Sequence, residues 1–200
     1  KALQECDKYD KTFIHPFDDK KVIAGQATLF LEIINQFKNH LDYLFIPIGG
    51  GGLISGAINV FKQLSPKTKI IGIEPKGAPS MSKSINKNKL ITLNRIDGFV
   101  DGVAVKKVGN YSFDYCKEHL DDLIILDENE ICNSILELKS YENIIAEPAG
   151  AMSSAALRHY RHKIINKNIG CIICGANNDN SRMPEIIKRA DIWKSNNLKN

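Results

Sequence analysis

The chain has 200 residues, of which 43% are hydrophobic and 25% charged, and its formal net charge is +4 at pH 7. This balance suits one sizeable folded domain, or part of a larger one. The basic residues are scattered, without a stripe that aromatic residues interrupt, which argues against a nucleic-acid-binding protein. No apolar run approaches the length of a membrane span, and the polar stretch over 1–10 does not predict a signal peptide.

Helical and strand patterns alternate along the chain. Helices are predicted over 23–37, 53–64, 79–86, 111–119, 128–139, 147–161 and 184–193. Strands are predicted over 43–48, 69–74, 122–126 and 169–173, whereas 87–110 is predicted to be irregular. This order predicts an α/β fold with three layers, a mostly parallel sheet with helices on both faces.

The apolar spacing of the first two long helices predicts which of their side chains face inward. In the first helix these are Ala27, Leu31, Ile34 and Phe37. In the second helix Ile54, Ala57, Ile58, Phe61 and Leu64 fall on one face.

The five cysteines do not have the spacing of a disulfide framework. Their odd number favours a reducing compartment, so we expect a cytoplasmic protein. Cys171 and Cys174 have the spacing of half a zinc site, but the chain has no second such pair and Cys171 lies in an apolar strand. We therefore predict no metal site.

Four consecutive glycines, Gly49 to Gly52, lie between a predicted strand and a helix that opens at Leu53. The first N–H groups of a helix lack partners and carry the positive end of its dipole, so this glycine loop (Gly49–Leu53) predicts a phosphate site. The alternative is a flexible turn. Cys174 follows another strand directly, and the carboxyl ends of parallel strands meet at one edge of the sheet.

The spacing within the loop separates the classes of phosphate ligand. Gly51 and Gly56 have the spacing of a nucleotide P-loop, but Ala57 replaces its lysine, which argues against ATP or GTP. The dinucleotide pattern fails because its third glycine would fall on Ile54 or Ser55. Glu74 lies where a ribose-binding acid would be, so a dehydrogenase remains a rival, although a polar residue at a strand end explains Glu74 equally simply.

An ordered set of motifs covers nearly the whole chain. They are Phe13-Ile-His-Pro-Phe-Asp-Asp19, Val22-Ile-Ala-Gly-Gln26, Ile46-Pro-Ile-Gly-Gly-Gly-Gly-Leu53, Ile71-Gly-Ile-Glu74, Asp101-Gly-Val-Ala-Val-Lys106, Ala146-Glu-Pro-Ala-Gly-Ala151 and Cys174-Gly-Ala-Asn177. Through them the chain resembles the threonine dehydratase family, in the tryptophan-synthase-β-like (fold type II) group of pyridoxal-phosphate enzymes. The resemblance implies the C-terminal part of a catalytic domain, with pyridoxal 5′-phosphate as cofactor.

The resemblance also implies a reaction. It is the deamination of L-threonine, a small-molecule substrate, to 2-oxobutanoate and ammonia in isoleucine biosynthesis, with L-serine as a secondary substrate. We expect the partner to be a second copy of the chain or a complementing fragment. A serine dehydratase or racemase relative, or a non-catalytic remnant that binds pyridoxal phosphate, remain alternatives.

The matching motifs assign the family's site residues to positions of this sequence. The resemblance implies that the cofactor phosphate is held by Gly49, Gly50, Gly51, Gly52 and Leu53. It implies that Cys174 faces the pyridine nitrogen, where threonine dehydratases usually have serine. His15, Pro16 and Phe17 are placed near the cofactor, and Gly102 and Glu147 at its cavity. Asp101 lies where related racemases bind a cation, but the accompanying ligands are not recognisable.

The lysine that holds the cofactor in this family is not recognisable in the sequence. The family carries it in a motif like S-x-K-x-R-G-A, and the nearest imitation, around Lys83, lacks the arginine and glycine and follows the loop. The S-S-G-N-like segment that binds the substrate carboxylate is not recognisable either. We therefore assign no catalytic residue and expect 1–200 to be a single partial domain that is inactive alone. A fragment, half of a split enzyme and a decayed gene product all fit.

Overall fold

Four parallel strands form the central sheet of the computed structural model, which describes residues 1–197. The strands are β1 (Tyr43–Pro47), β2 (Lys69–Pro75), β3 (Asp122–Leu126) and β4 (Ile169–Cys171), in the spatial order β3-β2-β1-β4. Every residue of β1 is buried, as is β2 after its first residue. Such continuous burial is what a parallel sheet covered on both faces requires.

Eight α-helices accompany these strands within 1–197. They are α1 (Ala2–Lys8), α2 (Lys20–Gln36), α3 (Gly52–Leu64), α4 (Ser80–Asn86), α5 (Asn110–His119), α6 (Glu128–Tyr141), α7 (Pro148–Tyr160) and α8 (Met183–Asn197). Two short 3-10 turns cover Asp101–Val103 and Asn180–Arg182. Over the same residues, no helix combines the length and the apolar character needed to cross a membrane.

The sheet separates two hydrophobic cores. On one face, Phe45 of β1 packs with residues of α6, α7 and α8. On the other face, Leu44 and Ile46 pack with residues of α2, α3, α4 and α5. Because successive strand residues point to opposite faces, β1 contributes to both cores. The predicted three-layer α/β fold with helices on both faces is confirmed, and the pairings observed are all parallel.

Most predicted elements occur within a few residues of their expected bounds. Asp127 is the N-cap of α6, accepting a hydrogen bond from the Asn129 N–H at 3.0 Å. The last strand is shorter than predicted, ending at Cys171, and α8 is longer. The first helix, α1, is not predicted because it buries none of its residues and so has no apolar stripe.

Three of the residues predicted to face inward are exposed. Leu31, Phe37 and Leu64 are 41%, 50% and 59% exposed. The reason is that α2 packs on α3, and not on the sheet: a β-carbon built on Gly56 of α3 would lie 2.8 Å from the Ala27 nitrogen of α2. This crossing turns a different stripe of α2 inward, with Ile23 and Phe30 as its buried members. Phe37 lies at the C-cap of α2 and Leu64 is the last residue of α3, so both extend beyond the helix packing, and the predictions for Leu31, Phe37 and Leu64 are wrong.

Glu74 is fully buried at the end of β2 and connects that strand to α4. Its Oε1 accepts a hydrogen bond from the Met81 N–H at 2.7 Å, and its Oε2 accepts one from the Ser82 N–H at 2.8 Å. These are N–H groups of the first turn of α4, which lack partners within the helix. The contacts give Glu74 a structural role at a strand end and leave neither oxygen free for a ribose.

Glu74 makes the stability of the fold depend on pH. Burial raises its pKa from 4.5 to about 7, although hydrogen bonds from Ser82 and Met81 oppose the rise. A raised pKa stabilises the fold below about pH 4.5, and this contribution is lost as the pH rises through 7. At about 1.4 kcal/mol per pKa unit, the loss is about 3 kcal/mol.

We expect urea unfolding to give a lower free energy of unfolding at pH 7.5 than at pH 5, and Glu74→Gln to flatten this dependence because an amide does not titrate in this range. The same pH dependence in both proteins would contradict the assignment to Glu74.

Candidate functional site

The glycine loop and Cys174 lie at the same edge of the sheet, on neighbouring strands. β4 pairs directly with β1, and Cys171 lies opposite Phe45. Three residues beyond this pair the chain reaches Cys174 on one strand and Ile48, just before the glycine loop, on the other. The structure therefore brings together the two parts of the site that the sequence predicts.

The glycine loop presents a row of unpaired hydrogen-bond donors. Within 1–197, none of the backbone N–H groups from Gly49 to Ile54 has an acceptor. The first satisfied N–H is that of Ser55, which donates to the Gly51 carbonyl at 3.0 Å. Consecutive free N–H groups at a helix N-terminus favour an anion, and a phosphate oxygen is a strong acceptor for them.

Two side chains, those of Phe17 and Ser112, pack closely against the loop glycines. A β-carbon built on Gly50 would overlap the Phe17 ring. Gly51 has a φ of 92°, and a β-carbon built there would lie 2.5 Å from Ser112 Cβ. Glycine is therefore required at both positions, one for the close approach and one also for its left-handed backbone. This packing fixes the conformation of the loop that carries the N–H groups without acceptors.

Residues before α2 hold Phe17 in place. His15 Nδ1 accepts a hydrogen bond from the Asp18 N–H at 2.9 Å, and its ring meets the Phe17 ring edge-on with centroids 4.6 Å apart. The Asp18 carboxylate accepts from Asn110 Nδ2 at 2.7 Å and from the Tyr111 N–H at 3.1 Å. Desolvation would raise the pKa of Asp18, but its hydrogen bonds with Asn110 and Tyr111 lower it.

Phe17 thus contacts the loop, and His15 lies behind it against the Phe17 ring; their expected position near the cofactor stays a prediction. Asp18, which sequence reasoning missed, attaches this segment to the start of α5. Its motif position gave no signal, because its partners lie more than 90 residues away.

A second group of contacts lies between the loop and Cys174. A β-carbon built on Gly49 would lie 3.0 Å from Val103 Cα, and one built on Gly102 would lie 3.1 Å from Glu147 Oε1. The Glu147 carboxylate also lies against Gly175, where a β-carbon would overlap it, and the Glu147 N–H donates to the Gly175 carbonyl at 3.1 Å. Gly102 and Glu147 are therefore neighbours of the Cys174 segment.

The environment of Cys174 keeps its side chain neutral. Although the residue is exposed to solvent, partial desolvation of the thiol raises its pKa, and the Glu147 carboxylate raises it further. The group therefore remains a thiol near neutral pH. A neutral thiol can lie against a pyridine nitrogen without the negative charge that a carboxylate would bring.

The other candidates at this edge have local partners. Asp101 Oδ1 pairs with Arg182 Nη1 at 3.4 Å. Cys171 lies 3.8 Å from the Ser153 carbonyl oxygen, and all five cysteines are free. In the part of the chain that the structure describes, no three His, Cys, Asp or Glu side chains are grouped so as to hold a metal ion.

The side chains nearest to β-carbons built on the loop glycines and on Gly175 carry no amine. They are Phe17, Met81, Val103, Ser112 and Glu147. Lys83, the nearest sequence match to the family lysine, lies on α4 and is exposed. An apolar cavity of about 400 Å³ lies between α2, α3 and α5, and no residue of the loop lines it. The candidate site at the sheet edge is thus separate from this cavity.

Comparisons with known proteins agree with this geometry. The family model described as pyridoxal-phosphate dependent enzyme matches residues 1–175. A biosynthetic L-threonine dehydratase of Halalkalibacterium halodurans is 49% identical over 187 residues, covering 94% of this chain and 45% of that protein. The chain spans about half the length of the curated relatives it matches.

Two solved structures show the same fold. The processed form of threonine deaminase isoform 2 from Solanum lycopersicum matches with a TM-score of 0.91 and 40% identity, covering 96% of this chain and 53% of that one. Serine racemase from Dictyostelium discoideum matches with a TM-score of 0.79 and 35% identity, covering 89% and 57%.

The glycine loop allows a direct test of its conformation. We expect Gly51→Ala to lower the free energy of unfolding by about 1–3 kcal/mol, because alanine is strained at this φ and would contact Ser112. Gly25→Ala is the matched control: nothing lies within 4 Å of a β-carbon there, in the middle of α2. This control should stabilise the protein by about 0.5–1 kcal/mol. Urea unfolding measures both, and equal effects would show that the loop has another conformation.

Proposed function

The chain belongs to the pyridoxal-phosphate-dependent enzyme family, and on that premise we propose that it forms the phosphate-binding and ring-facing part of a lyase. The reaction proposed is the deamination of L-threonine to 2-oxobutanoate and ammonia, since the similar curated proteins are biosynthetic L-threonine dehydratases. The observation that carries the proposal is the row of unpaired N–H groups over Gly49–Ile54 beside Cys174.

The residues present fit pyridoxal phosphate. Its phosphate needs several donors at close range, and the loop offers consecutive N–H groups at the positive end of α3. Its ring nitrogen needs a polar neighbour, and the Cys174 thiol, three residues after the end of β4, would supply one. When bound, the cofactor supplies an aldehyde for the substrate amine and a ring that withdraws electrons from Cα.

The residues of this chain then have distinct roles in binding the cofactor. The loop N–H groups bind the phosphate and fix the orientation of the ring. The neutral Cys174 thiol leaves the ring nitrogen without a full counter-charge. Glu147 lies against Gly102 and Gly175, so it holds the Cys174 segment beside the loop.

We propose that the amine for this reaction comes from residues other than 1–200, because the side chains nearest to the loop glycines and to Gly175 carry none and the family lysine motif is not recognisable in the sequence. The supplier is either a longer form of the chain or a complementing polypeptide. We also propose a cytoplasmic location, which suits five free cysteines.

A second candidate function is a serine dehydratase or racemase. The similarity to a serine racemase structure favours it, as does a thiol in place of the serine usual in threonine dehydratases. A remnant that binds the cofactor without catalysis is the third reading, and the activity measurement below separates it from the first two.

The phosphate role of the loop is tested at Leu53, a partly buried residue in the first turn of α3. We expect Leu53→Glu to weaken binding of pyridoxine 5′-phosphate by at least about tenfold, because its carboxylate repels the phosphate at short range. The probe has no aldehyde, so it cannot react with surface lysines. Fluorescence titration measures the dissociation constant.

Leu53→Gln is the matched control, because it makes the same change in packing without the charge. Its dissociation constant for the probe should lie within about threefold of that of the unmodified chain. Such a change is small, because a tenfold change corresponds to about 1.4 kcal/mol. The acid itself favours a helix N-terminus, so Leu53→Glu should not unfold α3. Equal affinity of the Glu and Gln variants would remove the phosphate assignment.

Catalysis gives the second test. With saturating pyridoxal phosphate and L-threonine, we expect the 200-residue chain to form 2-oxobutanoate no faster than free cofactor does. Adding a polypeptide that carries the lysine motif of a threonine dehydratase should restore production, since a Schiff-base lysine is then present. Production by the chain alone would contradict the proposed division of the site. Failure of the mixture, with cofactor bound, would favour the remnant.

A further inference from the structure

Arg182 connects two parts of the candidate site that are far apart in sequence. It lies eight residues after Cys174, in the turn that precedes α8. Its Nη2 donates to the Phe99 carbonyl oxygen at 2.5 Å, and its Nη1 pairs with Asp101 Oδ1 at 3.4 Å. The guanidinium also lies 5.0 Å from the centroid of the Phe99 ring.

The segment that Arg182 contacts lies directly behind the glycine loop. Phe99 and Val100 are buried, and the 3-10 turn Asp101–Val103 follows them. Val103 contacts Gly49, the first residue of the loop. A shift of this segment would therefore move Val103, which contacts the loop at Gly49.

The segment between Cys174 and Arg182 makes few contacts of its own. Cys174 and the two residues Ala176 and Asn177 are exposed. The backbone of this segment is attached by the Gly175 carbonyl, which accepts from Glu147, and its far end is fixed where α8 begins, because Met183 packs against the hydrophobic core. The side chain of Arg182 adds an attachment that ends on the segment in contact with the glycine loop.

We propose that Arg182 is a positioning residue that sets the separation between the glycine loop and Cys174. The inference rests on the proposed function, because it concerns a ligand that touches both parts. A phosphorylated pyridine touches the loop with its phosphate and Cys174 with its ring nitrogen, so its affinity depends on this separation. Inorganic phosphate touches the loop alone, so its affinity does not.

Arg189 provides a control within the same contact. Its guanidinium lies 4.1 Å from the Phe99 ring centroid, closer than that of Arg182. However, Arg189 pairs with Glu185 on the same helix, at 2.9 Å from Nε and 2.8 Å from Nη2. Removing it deletes an arginine from the same aromatic ring and leaves the connection from Arg182 to the Phe99 carbonyl intact.

The experiment titrates four proteins with pyridoxine 5′-phosphate, by fluorescence, and with inorganic phosphate, by phosphorus NMR. They are the unmodified chain, Arg182→Ala, Arg182→Gln and Arg189→Ala. We expect Arg182→Ala to bind pyridoxine 5′-phosphate about tenfold more weakly, as is typical when a supporting contact behind a binding residue is removed. Its affinity for inorganic phosphate, and both affinities of Arg189→Ala, should change by less than about twofold, a difference below 1 kcal/mol.

Arg182→Gln distinguishes positioning from folding. Its amide can still donate to the Phe99 carbonyl, so we expect a loss for pyridoxine 5′-phosphate between those of the unmodified chain and Arg182→Ala. Circular dichroism checks that each variant is folded. If Arg182→Ala is not folded, the result for Arg182→Gln decides. A loss of affinity confined to pyridoxine 5′-phosphate then supports the proposal.

Three results would overturn the positioning role while leaving the proposed function intact. They are unchanged binding by Arg182→Ala, equal losses for both ligands, and an equal loss in Arg189→Ala. Failure of the unmodified chain to bind either ligand would instead overturn the proposed function, and this inference with it.

Discussion

The contact between the Phe17 ring and the backbone of Gly50 is the constraint on which the rest of the site depends. The ring packs against the loop whose N–H groups, from Gly49 to Ile54, have no acceptor within 1–197. Because Phe17 is held by His15 and Asp18, and Asp18 also binds the start of α5, the loop is fixed from outside its own sequence. A run of glycines, flexible by itself, thereby becomes a rigid donor surface.

Neighbouring strands of the parallel sheet lead to residues of different chemistry. β1 ends in the glycine loop, β4 leads to the Cys174 thiol, and β2 ends in the buried carboxyl of Glu74. The Glu74 oxygens accept from the first turn of α4, so neither is free for a ligand at this edge. The segment over 99–103 contacts Gly49 through Val103 and accepts from Arg182 at the Phe99 carbonyl.

Local patterns in the sequence predict the strands and helices, because each depends on neighbours in the chain. The alternation of these elements then predicts the layers, and the rule that parallel strands end at the same edge predicts that the glycine loop and Cys174 share that edge. The inward stripe of α2 could not be predicted, since it is set by the crossing of α2 and α3 at Ala27 and Gly56. Asp18 and Arg182 were missed for a related reason. Their partners lie 92 and 83 residues away, so the folded structure alone pairs them. The site residues themselves stay predictions until binding is measured.

The neutral state of Cys174 has a consequence for the durability of the site. An exposed cysteine is ordinarily a target for peroxide and for alkylating agents, but these react with the thiolate. Desolvation and the neighbouring Glu147 carboxylate both lower the thiolate fraction of Cys174. Both features therefore slow the oxidation of this exposed thiol at neutral pH.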